Sequence, residues 1–283
     1  MAETAFQKQF RQEMIAGFEV NQSLVRDSVT TETVIKGNQA EFLVVDSGGA
    51  SATTRGVNGM IAARGDNNTQ TTVTLVEWHD LARKTGFNIF ASQGNQREIM
   101  QKTTMSVINR KIDEDIITEL NTATVNTGTA STASLNLSLK AKTILQNNKV
   151  PWDRNVTALI TPAYDAYLQQ IEAYASSDYV DLKPLPSGDN AWSDKPKARR
   201  WLDVNWIVHP SLPGVGTSAE KCFMYHKSAV GHACATEGLM TAIGYDEEQD
   251  YSFARCTAFM GTQNLQNSGI VVINHDGSAF AAS

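Results

Sequence analysis

Four carboxylates crowd the end of one helical pattern, NRKIDEDIITEL at 109–120: Asp113, Glu114, Asp115 and Glu119. Carboxylates held close together can act as general acid and base or bind a metal ion. Here they also lie where the partial negative end of a helix dipole repels them. Pairs of Arg110 with Glu114 and Lys111 with Asp115 would relieve this repulsion only slightly. Because no pair stands in a recognisable catalytic context, the residues predict no carboxylate dyad.

Histidines and cysteines are the other candidates for chemistry, as ligands of a metal ion. Cys222, His226, His232 and Cys234 share parity along a segment read as one strand, so they would face the same side. Cys222 and His232 would then lie roughly 33 Å apart at about 3.3 Å per residue. Only His232 and Cys234 could share an ion, and two ligands do not make a structural zinc site. We therefore predict no metal and no cofactor, and free cysteines in a reducing compartment.

Catalytic motifs are also missing from the sequence. The segment GVGTSAEK at 214–221 lacks the spacing of a phosphate-binding loop, and no nucleophile elbow occurs. The acidic run at 246–250 lacks the spacing of a calcium loop and reads as a solvated turn. The sequence therefore predicts no enzyme. A soluble enzyme that uses His232, Cys234 or the acidic run remains an alternative.

The overall charge excludes some classes of function. The 283 residues include 24 basic and 30 acidic ones, a net charge of -6, so no basic field points to nucleic-acid recognition. Charges throughout the first twenty residues exclude the apolar core of a signal peptide. Apolar runs such as LVV and IVVI are too short to span a bilayer, so no membrane contact is expected.

The carboxylates belong to the strongest helical pattern of the chain, from about Gln96 to Leu120. Its apolar stripe consists of Met105, Ile108, Ile112, Ile116 and Leu120. At 1.5 Å per residue this helix would be about 37 Å long, which suits a strut. A second amphipathic helix is predicted near the start of the chain, with Phe6, Phe10, Met14 and Phe18 every four residues. It docks on its own subunit or on a neighbouring one.

Two β-type runs, EFLVVDS at 41–47 and TTVTLVEW at 71–78, flank a glycine-rich segment. So long a loop is uncommon unless it is functional or mobile. Alternatively it pairs with itself as an extended hairpin that bends at GVNGM, residues 56–60. The tripeptide Arg64-Gly65-Asp66 reads as a turn rather than an adhesion motif.

From residue 135 the pattern becomes α/β. SLKAKTILQNN predicts a helix and VTALI a buried strand, and Thr161 followed by Pro162 marks the start of the next helix. Further strands are predicted at 204–208, 222–234, 239–245, 252–261 and 269–274. The fold class is therefore α+β. Its long extensions bury little within one subunit, so we expect other copies of the chain to cover them.

The order of these elements resembles the major capsid proteins of tailed bacteriophages, which have the Hong Kong 97-type fold. INRKIDEDIITEL is similar to that family's long "spine" helix, and LKAKTILQNNKVPWDRNVTALITPAYDAYLQQI to the opening of its axial domain. The residues that match the recurring pattern there are Val150, Pro151, Arg154, Pro162, Tyr164 and Leu168. WIVHPSLPG, CFMYHKSAVGHA and IGYDEEQDYSFARCTAFMGTQNLQNSGIVVI resemble the family's C-terminal part.

This resemblance implies a plan for the whole chain. The expected parts are an N-terminal arm (1–30), an extended β-hairpin loop (31–88), a peripheral domain with the spine helix (89–134), an axial α/β domain (135–227), peripheral-domain strands (228–262), and a return to the axial domain with the C-terminal tail (263–283). The implied function is a virion shell of pentamers and hexamers, assembled in the host bacterial cytoplasm. The shell would enclose double-stranded DNA without sequence-specific binding. An encapsulin-like compartment with the same fold is the alternative.

Two departures from relatives bear on the expected partners. Some relatives cross-link the shell through a lysine of the extended loop, but no lysine occurs between Lys36 and Lys84, so we predict no cross-link. Some relatives carry a fused scaffolding region, for which an arm starting near residue 1 leaves no room. The expected partners are therefore further copies of the chain, a separate scaffolding protein and a portal, with a decoration protein as a further candidate.

In such a shell the spine helix would lie near other subunits, where its carboxylates could meet basic groups. Arg83 and Lys84 are two such basic groups. The candidate contacts between subunits are Phe6, Phe10, Phe18, Arg26, Lys36, Arg55, Arg64, Asp113, Glu114, Asp115 and Glu119. The alternative is that the acidic face is merely solvated, since exposed charges contribute little.

Overall fold

The structure is a computed structural model that describes residues 23–34, 36–56, 58–61, 63–65, 67–91, 95–175, 199–236 and 238–280. The amphipathic pattern at Phe6, Phe10 and Phe18 lies outside these residues, as does Asp66 of the tripeptide. The described helices are α1 (Gly86–Ala91), α2 (Gln96–Leu120), α3 (Leu135–Asn147), α4 (Pro162–Gln169) and α5 (Glu172–Ala175). The described strands are β1 (Thr30–Val34), β2 (Gln39–Asp46), β3 (Asn67–Thr74), β4 (Val76–Thr85), β5 (Val156–Ile160), β6 (Arg199–Trp201), β7 (Val204–Val208), β8 (Glu220–His226), β9 (Val230–Ala235), β10 (Met240–Asp246), β11 (Tyr251–Asn264) and β12 (Ile270–His275).

Helix α2 has the predicted bounds. Its apolar stripe packs into one of the two main hydrophobic cores of the subunit. Ile112 and Ile116 are buried against Ala258 and Met260 of β11. The same core includes Phe223 of β8, which belongs to a different sheet from β11. The helix therefore packs mainly on the first main sheet, in a core that side chains of the second sheet also enter.

The first main sheet has the order β1-β9-β11-β10, and β4 pairs with the opposite edge of β11. Strand β11 is 14 residues long, and its two halves pair with β10 and β9 in turn. Strand β1 is parallel to β9, whereas the other pairs in this sheet are antiparallel. The residues just after the arm therefore form an edge strand of this sheet.

The second main sheet has the order β12-β8-β5-β7-β6 and is covered on both faces. Alternate residues of β5 enter different cores: Leu159 joins the α2 core, while Ala158 and Ile160 pack with α3 and α4. This explains why all five residues of the predicted strand VTALI are buried. The cap of α4 is also as predicted, because Thr161 accepts a hydrogen bond from the Tyr164 amide at 3.2 Å and Pro162 follows it.

The two β-type runs that flank the glycine-rich segment pair as a hairpin, while the described residues of 47–65 lie outside strands. Strands β2 and β3 pair antiparallel from Gln39 opposite Thr74 to Asp46 opposite Asn67. Among the described residues near the predicted bend, the Gly56 amide donates to the Met60 carbonyl oxygen at 3.1 Å. At the hairpin base the backbone approaches β11 so closely that a Cβ on Gly261 would meet the Thr74 carbonyl oxygen at 2.3 Å.

Two strand predictions are wrong in the same way. The run at 71–78 divides at Leu75 into β3 and β4, which lie in different sheets. The run at 222–234 divides at the 3₁₀ turn Lys227–Ala229 into β8 of the second sheet and β9 of the first. Hydrophobic pattern shows that a segment is extended, but it does not show where the chain leaves one sheet for another.

The chain crosses between the two main sheets twice at neighbouring places. One crossing is the turn Lys227–Ala229, and the other is the turn Asn267–Gly269 between β11 and β12. The Ala229 carbonyl oxygen accepts hydrogen bonds from the amides of Leu265 at 2.9 Å and Gln266 at 3.2 Å. The two crossings therefore form one bonded unit.

The mixture of helices and sheets confirms the α+β class. Among the residues described, none of the helices combines the length and apolar character needed to cross a bilayer.

Candidate functional site

The carboxylate of Asp113 is buried in the subunit and binds the start of the described chain. It is 2% exposed and accepts hydrogen bonds from the Ser23 hydroxyl, from the Leu24 amide at 3.0 Å and from the Val25 amide at 3.3 Å. We call residues 23–28 the arm root. Because buried polar groups require partners, this carboxylate holds the arm root on helix α2.

His209, which directly follows β7, is the fourth partner of this carboxylate. The Ser211 amide donates to His209 Nδ1 at 3.2 Å, so the ring proton is on Nε2, which lies 3.4 Å from Asp113 Oδ2. The His209 amide donates to the Ile160 carbonyl oxygen of β5 at 2.9 Å. Asp113 thus joins the arm root, the spine helix and the second sheet.

Within the subunit, the Asp113 carboxylate therefore has four partners of its own chain, and a contact of Asp113 with a neighbouring subunit stays a prediction. A sequence signal for this existed. Asp113 lies seven residues before Leu120, on the edge of the apolar stripe, where an unpaired carboxylate would be costly. Its partners Ser23 and His209 are distant in sequence, so the stripe alone could not identify them.

The other three carboxylates remain nearer the surface. Lys111 lies 3.0 Å from Asp115, as predicted, and 3.7 Å from Glu114. The expected pair of Arg110 with Glu114 is not formed among the described residues. Partial burial raises the pKa of Asp115, with Lys111 acting against it. Burial likewise raises the pKa of Glu119, and the nearby charge of Asp115 adds to this.

The predicted basic partners do not meet these carboxylates within the described part of the subunit. Lys36, Arg55 and Arg64 are exposed on the hairpin or at its base. The Arg83 guanidinium lies 4.8 Å from the ring centre of Tyr251. The Lys84 ammonium donates to the Gln96 side chain. Contacts of these residues with another subunit therefore stay a prediction.

The hairpin and α1 expose large apolar side chains. Leu43 and Val45 on β2 are 65% and 71% exposed, and Met60 at the bend is 76% exposed. Phe87 and Phe90 of α1 are 76% and 88% exposed. We call Leu43, Val45, Met60, Phe87 and Phe90 the apolar contact set. Large apolar side chains left this exposed are suited to contacts with other protein surfaces.

The histidines and cysteines do not form a metal centre in the described part of the chain. Cys222 and His226 lie on β8, whereas His232 and Cys234 lie on β9 of the other sheet. No group of three or more potential ligands comes together among the described residues. The parity argument was wrong because the two pairs do not share a strand.

His232 is instead a buried neutral side chain, and this predicts a pH dependence of stability. Burial lowers its pKa from 6.5 to about 4, and the charge of Arg26 acts in the same direction. As the pH falls, the imidazole of residue 232 is protonated in the unfolded chain before it is protonated in the folded one. The folded state therefore loses stability as the pH falls from 6.5 towards 4.

Replacement of His232 by glutamine should remove most of this loss, about 2 to 3 kcal/mol between pH 7 and 4.5. Denaturant unfolding of unassembled subunits at both pH values measures the difference. His79→Gln is the matched control, because the His79 side chain is 45% exposed. An equal pH dependence in the wild type and the His232→Gln variant would contradict the assignment.

The sequence matches one family nearly throughout. Residues 2–277 match the family described as phage capsid protein. No match was found among curated protein sequences.

Several solved phage structures share the fold. The capsid of cyanophage P-SCSP1u is 12% identical with a TM-score of 0.72, over 96% of this chain and 93% of that one. The structure of Mycobacterium phage Che8 is 14% identical with a TM-score of 0.70, over 97% of this chain and 98% of that one. The capsid of Ralstonia phage GP4 is 12% identical with a TM-score of 0.67, over 97% and 96%. At these identities the likeness shows the fold, and it confirms the Hong Kong 97-type architecture.

The match also confirms a structural rather than a catalytic role, and it does not favour the encapsulin-like or enzyme alternatives. With the spine helix, the hairpin and the two sheets in place, the conclusion is direct: the chain belongs to the phage capsid protein family.

Proposed function

We propose that this major capsid protein forms pentamers and hexamers of itself, and that these close into an icosahedral shell around double-stranded DNA. The apolar contact set carries the proposal, because the subunit leaves these side chains largely uncovered. Further copies of the same chain would remove them from water. A shell can distribute such burial over several neighbours, with each contact modest in size.

The domain plan is part of this proposal. We assign the first main sheet and α2 to the peripheral domain, and the second main sheet with α3 and α4 to the axial domain. The described hairpin strands occupy 39–74, a narrower range than the expected loop at 31–88, because β1 and β4 pair within the first sheet. The arm would extend from the arm root onto an adjacent subunit through Phe6, Phe10 and Phe18.

The net charge of -6 supports a container that does not bind DNA sequence-specifically. An acidic protein holds DNA only weakly, and a container must release the DNA that it encloses. We expect assembly in the bacterial cytoplasm with a separate scaffolding protein and a portal, and a decoration protein as a further candidate. Analysis of the contents of native particles tests whether the shell encloses DNA. The particles should hold long DNA, and particles filled with a cargo enzyme would contradict the proposed DNA container.

Self-assembly itself is tested by sedimentation velocity and negative-stain microscopy of the expressed full chain. We expect capsomers or closed particles of several sizes. A purified chain that stays monomeric at every concentration, with or without a scaffolding protein, would contradict the proposal. Uniform closed shells from the purified chain alone would instead remove the need for a separate scaffold.

The exposed acidic face of α2 gives a separate prediction about contacts between subunits. We expect reversal of both charges, Glu114→Lys with Asp115→Lys, to weaken assembly and to change its dependence on salt. The reason is that the carboxylates would no longer attract basic groups such as Lys36 or Arg55 of a neighbour.

Light scattering of assembly across a range of salt concentrations measures this effect. Glu247→Lys with Glu248→Lys is the control, because both residues are acidic and exposed but lie in the turn between β10 and β11. Unchanged assembly and salt dependence in the double variant would show that the acidic face is only solvated.

A further inference from the structure

A small cavity lies between the arm root and β9, and assembly of a shell does not explain it. Its volume is about 20 Å³, and its lining includes Arg26, Ile112, His232, Cys234 and Met260. Arg26 comes from the arm root, Ile112 from the spine helix, and His232 and Cys234 from β9. The cavity therefore lies where the arm root meets the first sheet.

His232, which lines this cavity, has an unpartnered polar atom. The residue is fully buried, and its Nδ1 is 2.9 Å from the Thr262 hydroxyl. Its Nε2 is also buried and has no hydrogen-bond partner. Leaving such an atom without a partner costs about 1 to 3 kcal/mol. A cavity lined by a buried unpaired imidazole nitrogen is suited to receive a small group that can form a hydrogen bond.

Cys234, in the same lining, differs from the other two cysteines. Cys222 and Cys256 are fully buried, and burial raises the pKa of the Cys222 thiol to about 12 and also raises the pKa of Cys256. Cys234 is only partly buried, and the Arg26 guanidinium donates to its sulfur at 3.7 Å. The guanidinium places positive charge beside the sulfur, where negative charge develops when a thiol reacts as a nucleophile.

We propose that Cys234 is a thiol-modification site for small polar disulfides, and that its modification releases the arm root from β9. The Cys234 sulfur, having lost its proton, attacks one sulfur of the disulfide; a new S–S bond forms as the old one breaks, and the leaving thiolate takes up a proton. His232 Nε2 accepts or donates a hydrogen bond to the polar end of the adduct. Because the cavity is smaller than the adduct, the Arg26 side chain is displaced.

The first test measures selectivity, with 2-hydroxyethyl disulfide as the probe. The full chain is treated for a series of times, and the adduct on each cysteine is quantified by peptide mass mapping. We expect Cys234 to react about tenfold faster than Cys222 or Cys256. Replacing Arg26 by glutamine should slow the Cys234 reaction and leave the other two unchanged. Equal rates at the three cysteines, or no effect of Arg26→Gln, would overturn the site.

The second test measures release of the arm root by limited trypsin digestion. Arg26 is itself a cleavage point, so displacement of its side chain should accelerate cleavage of the bond to Asp27 several-fold. Cys234→Ser treated with the same probe is the control and should show no acceleration. An adduct that leaves cleavage at Arg26 unchanged overturns the proposed release. Equal acceleration at Lys111 of the spine helix would show general unfolding and would overturn it as well.

Discussion

Replacement of Asp113 by alanine should free the arm root and lower the free energy of unfolding by about 3 kcal/mol. The change removes the acceptor of the Ser23 hydroxyl and of two amides, Leu24 and Val25, and it leaves the His209 Nε2 proton without its partner. Each of these donors is at least partly buried, so water cannot replace the carboxylate at no cost. The loss therefore exceeds that of an ordinary surface substitution.

Hydrogen exchange provides the most direct measurement, because two of the donors are backbone amides. The amides of Leu24 and Val25 should lose about a hundredfold in protection, more than amides in the centre of α2. Glu114→Ala is the matched control, since Glu114 lies next to Asp113 on the same helix and its side chain is 62% exposed. Protection of the two amides that equals the wild type would show that the carboxylate does not hold the arm root.

An Asp113→Asn variant separates charge from shape. The amide oxygen still accepts a hydrogen bond, but the amide nitrogen faces donors rather than acceptors. We expect a loss of stability similar to that of the alanine variant. A fully stable asparagine variant would indicate that the contact depends on size alone.

The second large effect is expected on assembly. The double variant Leu43→Ser with Val45→Ser should remain folded but should require about a hundredfold higher concentration to assemble. Both side chains lie on β2 of the hairpin and are largely exposed in the subunit, so their removal costs the isolated chain little. In a shell, each substitution would remove the apolar side chain that the proposed contact between subunits buries.

Sedimentation velocity over a concentration series measures the effect, and circular dichroism confirms that the subunit stays folded. Asn68→Ser is the matched control, because Asn68 lies opposite Val45 on β3 and is already polar and exposed. Particles that form at the wild-type concentration would show that this face of the hairpin is not a contact.

Much of the fold could be predicted because its signals are local. The helical pattern of 96–120 gives both ends of α2 correctly, and Thr161 with Pro162 gives the start of α4. The hairpin followed from two β-type runs around a segment rich in turn residues. In each case the residues that determine the element are the residues that form it.

The features that could not be predicted depend on distant parts of the chain. The division of 222–234 into two strands depends on which strands lie beside each half. The hydrophobic pattern of the segment itself does not contain that information. Asp113 is separated from Ser23 by 90 positions, so an acidic cluster on one helix could not reveal its partner. The apolar contact set could be recognised only after the subunit was folded, because exposure is a property of the structure.

The paired crossings between the two main sheets have a mechanical consequence for a capsid shell. One crossing has three residues (227–229) and the other has five (265–269), and hydrogen bonds from the Leu265 and Gln266 amides to the Ala229 carbonyl oxygen join them side by side. Two short covalent connections at one place limit how far the two sheets can separate or slide there. Tension between the two sheets in the wall of a particle would therefore be carried in part by backbone bonds at residues 227–229 and 265–269.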